Sequence, residues 1–148
     1  MPIPALDEDG LLPSGVHDCT IKEVGRVFGT FQTSDQRPRL MESLMGFLLE
    51  AKACGLVRRI VVDGSFVTRK PVPNDIDLIV AVSASHDYAA DLRPNEYNVV
   101  SKLRVRRRFG FDLLLARDGS DELKRYTAFF QQVRFAPEKR KGILRIRL

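Results

Sequence analysis

The chain has 148 residues, of which 44% are hydrophobic and 29% are charged. This length favours a single domain with its own core, and the apolar content excludes an intrinsically disordered chain. The 24 Lys and Arg residues exceed the 19 Asp and Glu residues by a formal +5, a mild surplus that suits an anionic partner such as a nucleotide or RNA.

The expected location of the protein is cytoplasmic. The sequence has no apolar run long enough for a membrane span, and its first residues have neither the basic nor the apolar region of a secretory signal. Cys19 and Cys54 lie in unrelated contexts, without the spacing of a metal site or the number of cysteines that a disulfide framework needs. These features predict a reducing compartment and no membrane partner.

The first third of the chain predicts an extended segment and two helices. Residues 1–16 are rich in Pro, Gly and acidic side chains, so we expect them to lie extended over the surface. Thr20, followed three residues later by Glu23, has the pattern of a capping box and predicts the start of a short helix. Apolar residues at three- and four-residue steps predict a longer helix over Gln36–Cys54, which Gly55 is placed to end.

The remaining elements predict a sheet. Three apolar runs lack alternation with polar residues, which indicates strands covered on both faces, and a fourth run at the C-terminus predicts an edge strand. Together with the helices, they predict an α/β (α+β) domain over residues 1–148, with a mixed sheet of about four strands flanked by helices. The predicted strands are Ile60–Val62, Ile76–Val82, Phe111–Ala116 and Gly142–Leu148, and the later helices are Asn95–Arg107 and Ser120–Val133.

A Gly64–Ser65 pair follows the first predicted strand. Glycine lets the backbone turn tightly and lets a ligand approach, and amides at the start of a helix can hold a phosphate, with the serine hydroxyl as a further donor. Gly-Ser pairs are also common in plain turns. Taken alone, this pair favours a turn without a ligand.

Asp75 and Asp77 supply the stronger signal. They are two residues apart at the mouth of a strand, so their side chains point to the same face, with Cα atoms about 6–7 Å apart. Two carboxylates held so close repel each other unless a cation lies between them. Oxygen ligands of this kind suit Mg²⁺, which commonly completes its coordination with water and substrate phosphates.

Asp112 opens the next predicted strand in a similar position. A carboxylate in such an apolar setting is costly to bury without a partner. One interpretation is a salt bridge to Arg106, Arg107 or Arg108, which lie nearby in sequence. The other is that its strand pairs beside that of Asp77, so that Asp75, Asp77 and Asp112 share one site.

These residues resemble the motif of polymerase-beta-type nucleotidyltransferases. That motif has Gly-Gly or Gly-Ser, a short spacer, Asp-hydrophobic-Asp-hydrophobic, and a third acid on a later strand; Gly64–Ser65, Asp75 to Leu78 and Asp112 fit it. Over most of its length the chain also resembles an uncharacterised group of small bacterial nucleotidyltransferase-like proteins. The features shared with that group are the segments Asp7–Pro13 and Asp63–Thr68.

The resemblance implies a reaction and a set of ligands. A nucleoside triphosphate would place its phosphates on Gly64 and Ser65, with Mg²⁺ or Mn²⁺ held by Asp75, Asp77 and Asp112. Asp112 would help to activate the acceptor hydroxyl or complete a second metal site. The implied function is transfer of a nucleotidyl group to a protein or RNA hydroxyl, and small members of the superfamily suggest a toxin–antitoxin or defence module with a protein partner.

The sequence departs from the motif in two places. Asp63 stands where the pattern prefers an apolar residue. The basic residue that small members often carry after Gly-Ser is not clearly matched, and Arg69 or Lys70 is expected to serve. The alternative function is therefore a non-catalytic module that keeps the fold and binds a protein partner or nucleic acid.

Two other segments are rich in basic or aromatic side chains. The run from Lys102 to Arg108 contains five basic residues. One interpretation is that it binds a triphosphate or an RNA backbone, and the other is that it is a solvated helix end. Phe129 and Phe130 lie in a helical pattern, which favours a place in the core over a stacking surface.

Overall fold

The sheet and the helices that flank it confirm the predicted mixed α/β architecture. The structure is a computed structural model that describes residues 3–30 and 34–148. None of the helices in these residues is long and apolar enough to cross a membrane. The strands are β1 (Gly15–Cys19), β2 (Val57–Asp63), β3 (Asp77–Val82), β4 (Asp112–Arg117), β5 (Gln132–Val133), β6 (Ala136–Arg140) and β7 (Gly142–Arg147), and the α-helices are α1 (Ile21–Phe28), α2 (Gln36–Cys54), α3 (Pro94–Val100), α4 (Lys102–Phe109) and α5 (Asp121–Phe130).

The main sheet has five strands in the order β1-β7-β2-β3-β4. Its outer pairs, β1 with β7 and β3 with β4, are parallel, whereas β2 is antiparallel to both of its neighbours. The prediction of a C-terminal edge strand was wrong, because β7 lies between β1 and β2. The edge position belongs to β1, whose short mixed sequence Gly15–Cys19 gave no strand signal.

The two faces of the sheet are covered differently. The larger core fills one face, where α1 and α2 contribute Val24, Phe28, Leu44 and Phe47 against alternate strand residues such as Leu78. A smaller cluster on the other face contains Val61, Ile79 and Ile143, packed against Leu123, Tyr126 and Phe130 of α5. Coverage of both faces explains why the strands read as continuous apolar runs.

The predicted helices are found, with two changes of boundary. Thr20 caps α1 by accepting a hydrogen bond from the Glu23 amide at 3.2 Å, and α2 ends at Gly55 in the left-handed conformation, as predicted. The single helix predicted over residues 95–107 is divided at Ser101, whose hydroxyl caps α4 by accepting from the Arg104 amide at 3.3 Å. The helix predicted as far as Val133 ends at Phe130, and the β5–β6 hairpin follows it.

The N-terminal segment does more than lie over the surface. Leu12 is 1% exposed and packs in the larger core, and Gly15 and Val16 already belong to β1. The Gly142 amide donates to the Leu12 carbonyl at 2.8 Å, which joins the segment to the start of β7. The expectation of a surface position therefore fails for the end of this segment, while residues 1 and 2 lie outside the described residues.

A buried arginine at the start of α2 fixes the loop after β2. Arg37 is 2% exposed, and its guanidinium donates four hydrogen bonds to backbone carbonyls. One acceptor is Phe28 at the end of α1, and the others are Phe66, Thr68 and Lys70 in the loop that follows the Gly-Ser pair. Arg37 thereby ties two helix ends to the loop that carries the predicted phosphate site.

Candidate active site

Three aspartates lie side by side on neighbouring strands. Asp63 at the end of β2 is the register partner of Asp77 at the start of β3, and Asp77 is the register partner of Asp112 at the start of β4. Register partners point to the same face of a sheet, here the face covered by α5, because Asp77 lies two residues before Ile79. The strands of Asp77 and Asp112 are thus neighbours, as the shared-site interpretation required, and Asp63 joins the row.

The Gly64–Ser65 turn closes on Asp75. The Ser65 amide donates to Asp75 Oδ1 at 2.8 Å, and the Ser65 hydroxyl donates to the same oxygen. That hydroxyl accepts from the Asn74 amide at 3.0 Å, and the Phe66 amide donates to the Asp75 carbonyl at 3.2 Å. The Gly-Ser turn and the first acid of the motif, ten residues apart, therefore form one hydrogen-bonded unit.

Gly64 is required where this turn meets the strand. Its φ is 100°, and a Cβ would lie 2.7 Å from the Asp75 carbonyl oxygen. We expect Gly64→Ala to lower the free energy of unfolding by about 2–4 kcal/mol, because it adds backbone strain and a backbone clash. Urea denaturation measures the loss. The matched control is Gly46→Ala in α2, where a Cβ meets only Phe109 at 3.6 Å and stability is expected to stay equal or rise; equal effects of the two variants would contradict the role of Gly64.

Lys141 forms an ion pair with Asp63, the acid that departs from the motif. Asp63 is 5% exposed, and Lys141 Nζ donates to its two carboxylate oxygens at 2.8 and 3.0 Å. Burial raises the pKa of Asp63, while the Lys141 charge and hydrogen bonds oppose the rise. A buried carboxylate is tolerated when a cation pairs with it, so the residue between β6 and β7 supplies a cation beside the row of aspartates.

Asp77 is held in an unfavourable electrostatic environment. Burial is the largest cause that raises its pKa, to about 6, and the negative charges of Asp75, Asp63 and Asp112 raise it further. Lys141 is the cation that opposes the shift. A cation bound at this place would relieve the repulsion, as the sequence argument anticipated for the Asp75–Asp77 pair.

The raised pKa of Asp77 predicts a stability that falls with rising pH. A carboxyl whose pKa is raised on folding stabilises the folded state at low pH, and this contribution is lost as the pH rises through the folded-state pKa, here about 6. We expect the free energy of unfolding of the wild-type protein, relative to Asp77→Asn, to decline between about pH 4 and about pH 7. Urea denaturation of both proteins across this range measures it, and a constant difference would contradict the prediction.

Asp112 is in the row, but its carboxylate faces outward. Its side chain is 64% exposed and pairs with the equally exposed Arg106, so the salt bridge considered from the sequence is present. Two other arginines of the basic run also have intramolecular partners: Arg108 contacts Glu50 at 2.7 and 2.9 Å, and Arg104 contacts Asn98 at 3.0 Å. The basic run is therefore engaged largely in holding α4 against its surroundings.

A cavity of about 800 Å³ is lined by the Gly64–Ser65 turn and by Asp63, Asp75 and Asp77. Of the two basic residues considered for substrate binding, Lys70 lines it, whereas Arg69 does not and instead donates to the Asp7 carbonyl at 3.1 Å. Asp112 is also outside its walls. Five further residues line this cavity that the sequence did not assign to the site: Asp63, Lys141, Phe129, Arg134 and Phe135.

The donors of this site fit Mg²⁺ only in part. Among residues 3–30 and 34–148, no group of three His, Cys, Asp or Glu side chains is placed to hold a metal ion. Asp77 offers carboxylate oxygens in a field of negative charge, and Asp75 offers the oxygen not bonded to Ser65. Mg²⁺ is commonly bound by one or two carboxylates together with substrate phosphates, so the donors fit a metal that arrives with a triphosphate.

Comparison with known proteins gives one match. The model of a family described as a family of unknown function (DUF6932) matches residues 4–147. Searches of curated proteins and of solved structures found no match.

Proposed function

The chain belongs to the DUF6932 family of unknown function, and we propose that it is a metal-dependent nucleotidyltransferase. The observation that carries the proposal is the register of Asp63, Asp77 and Asp112 on three adjacent strands. The Gly64–Ser65 turn lines one cavity together with Asp63 and Asp77. Mg²⁺ or Mn²⁺ is the proposed cofactor and a nucleoside triphosphate the proposed substrate. By resemblance, a toxin–antitoxin or defence module is the proposed setting and the cytoplasm the proposed location.

The chain's own groups have separate tasks in this reaction. The glycine at 64 lets the phosphates approach the backbone, and Lys70 and Lys141 supply positive charge at the cavity wall. When bound by Asp75 and Asp77, the metal supplies charge neutralisation at the phosphates. The hydroxyl oxygen of a protein or RNA acceptor attacks the α-phosphorus, the bond from that phosphorus to the bridging oxygen breaks, and pyrophosphate leaves.

Asp112 is the proposed acceptor of the hydroxyl proton. Its exposure suits a group that meets a macromolecular acceptor at the rim of the site, and its strand places it next to Asp77. The Arg106 guanidinium would have to release the Asp112 carboxylate when the acceptor binds. An exposed ion pair is worth at most about 1 kcal/mol, so this release is inexpensive.

One observation favours the second candidate, a non-catalytic module that binds a protein partner or nucleic acid. Arg106 already holds Asp112, and Ser65 already holds Asp75. Both contacts satisfy carboxylates that catalysis would need. The two candidates differ in whether labelled nucleotide is transferred.

The deciding experiment is a transfer assay. The purified protein is incubated with labelled nucleoside triphosphates, Mg²⁺ and cell extract, and compared with the Asp77→Asn/Asp112→Asn variant. This pair is preferable to one that includes Asp75, because the Asp75 carboxylate holds the Ser65 turn and its loss would disturb the fold. Labelled product from the wild-type protein alone is the expected result.

The control variant is Asp91→Asn, which removes an exposed carboxylate in the loop before α3. It is expected to transfer label at the wild-type rate. Equal transfer by the wild-type and double-variant proteins would show that the label comes from another source. Absence of transfer and of triphosphate binding by the wild-type protein would refute the enzyme and favour the non-catalytic module.

A further inference from the structure

The cavity is lined by aromatic side chains as well as by charged ones. Phe129 at the end of α5 and Phe135 at the tip of the β5–β6 hairpin both line it, and they are 63% and 91% exposed. The expectation that Phe129 and Phe130 belong to the core therefore holds only for Phe130, which packs partly against the second face of the sheet. Large aromatic side chains exposed at one cavity point to a ligand with an apolar surface.

The backbone of Phe135 has a conformation that is unfavourable for phenylalanine, and burial of the side chain does not compensate for it. Val133 pairs with Ala136, so Arg134 and Phe135 form a two-residue hairpin loop. The φ of Phe135 is 66°, the one positive φ of a non-glycine residue in the described part of the chain. Gly or Asn adopts this conformation at little cost, whereas a phenylalanine is strained there and gains no burial. Strain of this kind concentrates at functional sites.

Arg134 adds a planar cation to the ring. Its guanidinium carbon lies 5.1 Å from the centre of the Phe135 ring, within the range of a cation–π contact. Both residues line the cavity that contains Ser65 and Asp77. A flat aromatic surface with positive charge, next to a phosphate site, is the chemistry by which proteins stack bases without reading their hydrogen-bonding edges.

The hairpin is also fixed to the site. The Lys141 amide donates to the Gln131 carbonyl at 2.8 Å, which closes the base of the hairpin directly beside the cation that holds Asp63. The aromatic side chains and the charged side chains of the cavity therefore belong to one continuous surface.

We propose that Phe135, Arg134 and Phe129 form a stacking platform for the nucleobase of the triphosphate. The proposal rests on the proposed function, because it needs the triphosphate to lie on the Gly64–Ser65 turn. Since stacking uses the ring face, it accepts every base and strengthens the binding of purines and pyrimidines alike.

Calorimetric titration of the protein with ATP, CTP and inorganic tripolyphosphate, each with Mg²⁺ and without acceptor, tests the platform. We expect both nucleotides to bind roughly 5- to 150-fold more tightly than tripolyphosphate, the range that base stacking supplies. Phe135→Asn removes the ring but tolerates the left-handed backbone, so it is expected to lose most of this advantage and to bind tripolyphosphate unchanged. Its thermal stability is expected to equal or exceed that of the wild-type protein.

Two further variants serve as controls. Phe135→Tyr keeps the ring and is expected to bind nucleotides within about twofold of the wild-type protein. Leu49→Asn changes an exposed apolar residue of α2 that does not line the cavity, and it is expected to leave binding unchanged.

The outcomes separate the platform from the proposed function. Equal affinity of wild-type protein for nucleotides and tripolyphosphate would overturn the platform and leave the phosphate site standing. Binding of none of the three would refute the proposed function, and the platform with it. If Phe135→Asn changed the oligomeric state and not nucleotide affinity, the ring would be a contact between copies of the chain and the platform would be wrong.

Discussion

Replacing Asp77 with asparagine is expected to abolish transfer while making the folded protein more stable at neutral pH. Asparagine has almost the same shape but no negative charge. In the wild-type protein, burial and the negative charges of Asp75, Asp63 and Asp112 disfavour the charged carboxylate. They raise its pKa to about 6. Removing that charge relieves the repulsion and leaves the strand pairing with β2 and β4 in place.

The activity is expected to fall by at least roughly 10³-fold, because the variant loses a ligand whose metal supplies several kcal/mol to phosphoryl chemistry. Transfer of labelled nucleotide and urea denaturation at pH 7 measure the two effects on one preparation. Asp91→Asn is expected to change neither. An Asp77→Asn protein that keeps a tenth of the activity would contradict the catalytic role, and one that is less stable would contradict the repulsion.

Replacing Arg37 with alanine is expected to cause the largest loss of stability. The side chain is buried, and its guanidinium donates to carbonyls of Phe28, Phe66, Thr68 and Lys70 at 3.2, 2.7, 2.6 and 2.7 Å. Burial lowers the pKa of Arg37, but a guanidinium stays protonated in proteins. Its removal leaves these carbonyls without their donor and opens a cavity, which together cost about 3–5 kcal/mol.

The matched control lies two residues further along the same helix. Arg39 is 71% exposed in its pair with Asp35, so Arg39→Ala is expected to cost less than about 1 kcal/mol. Arg37→Lys keeps the charge but not the planar fork, and we expect an intermediate loss. Guanidinium chloride denaturation orders the three variants. A result in which Arg37→Ala and Arg39→Ala lose the same stability would refute the role of Arg37 in holding the loop.

The sequence alone was sufficient for features that depend on neighbouring residues. The cap at Thr20 and the left-handed Gly55 are local patterns, and each lies where it was predicted. The apolar run after Asp77 is likewise local, and β3 begins at that residue. The start of β4 at Asp112 was found in the same way, because an apolar run marks it.

The missed features depend on distant partners or on unusual turns. Asp63 is paired with Lys141, 78 residues away, and no residue near Asp63 in the sequence indicates that contact. Arg37 reads as an ordinary exposed helix residue until the carbonyls around it are known. The β5–β6 hairpin turns at Arg134 and Phe135, without the Gly or Asn that usually marks such a turn, so the predicted helix was extended to Val133, across β5.

The central position of β7 has a consequence for biosynthesis. The strand β1 can join the sheet only through β7, and the pair Asp18–Arg145 that links them is separated by 127 residues. At about 5–20 residues per second, a ribosome needs roughly 6–25 s to make this intervening chain. During that time β1 has no strand to pair with in the main sheet, and a nascent chain stalled before Gly142 would hold an incomplete sheet available to chaperones.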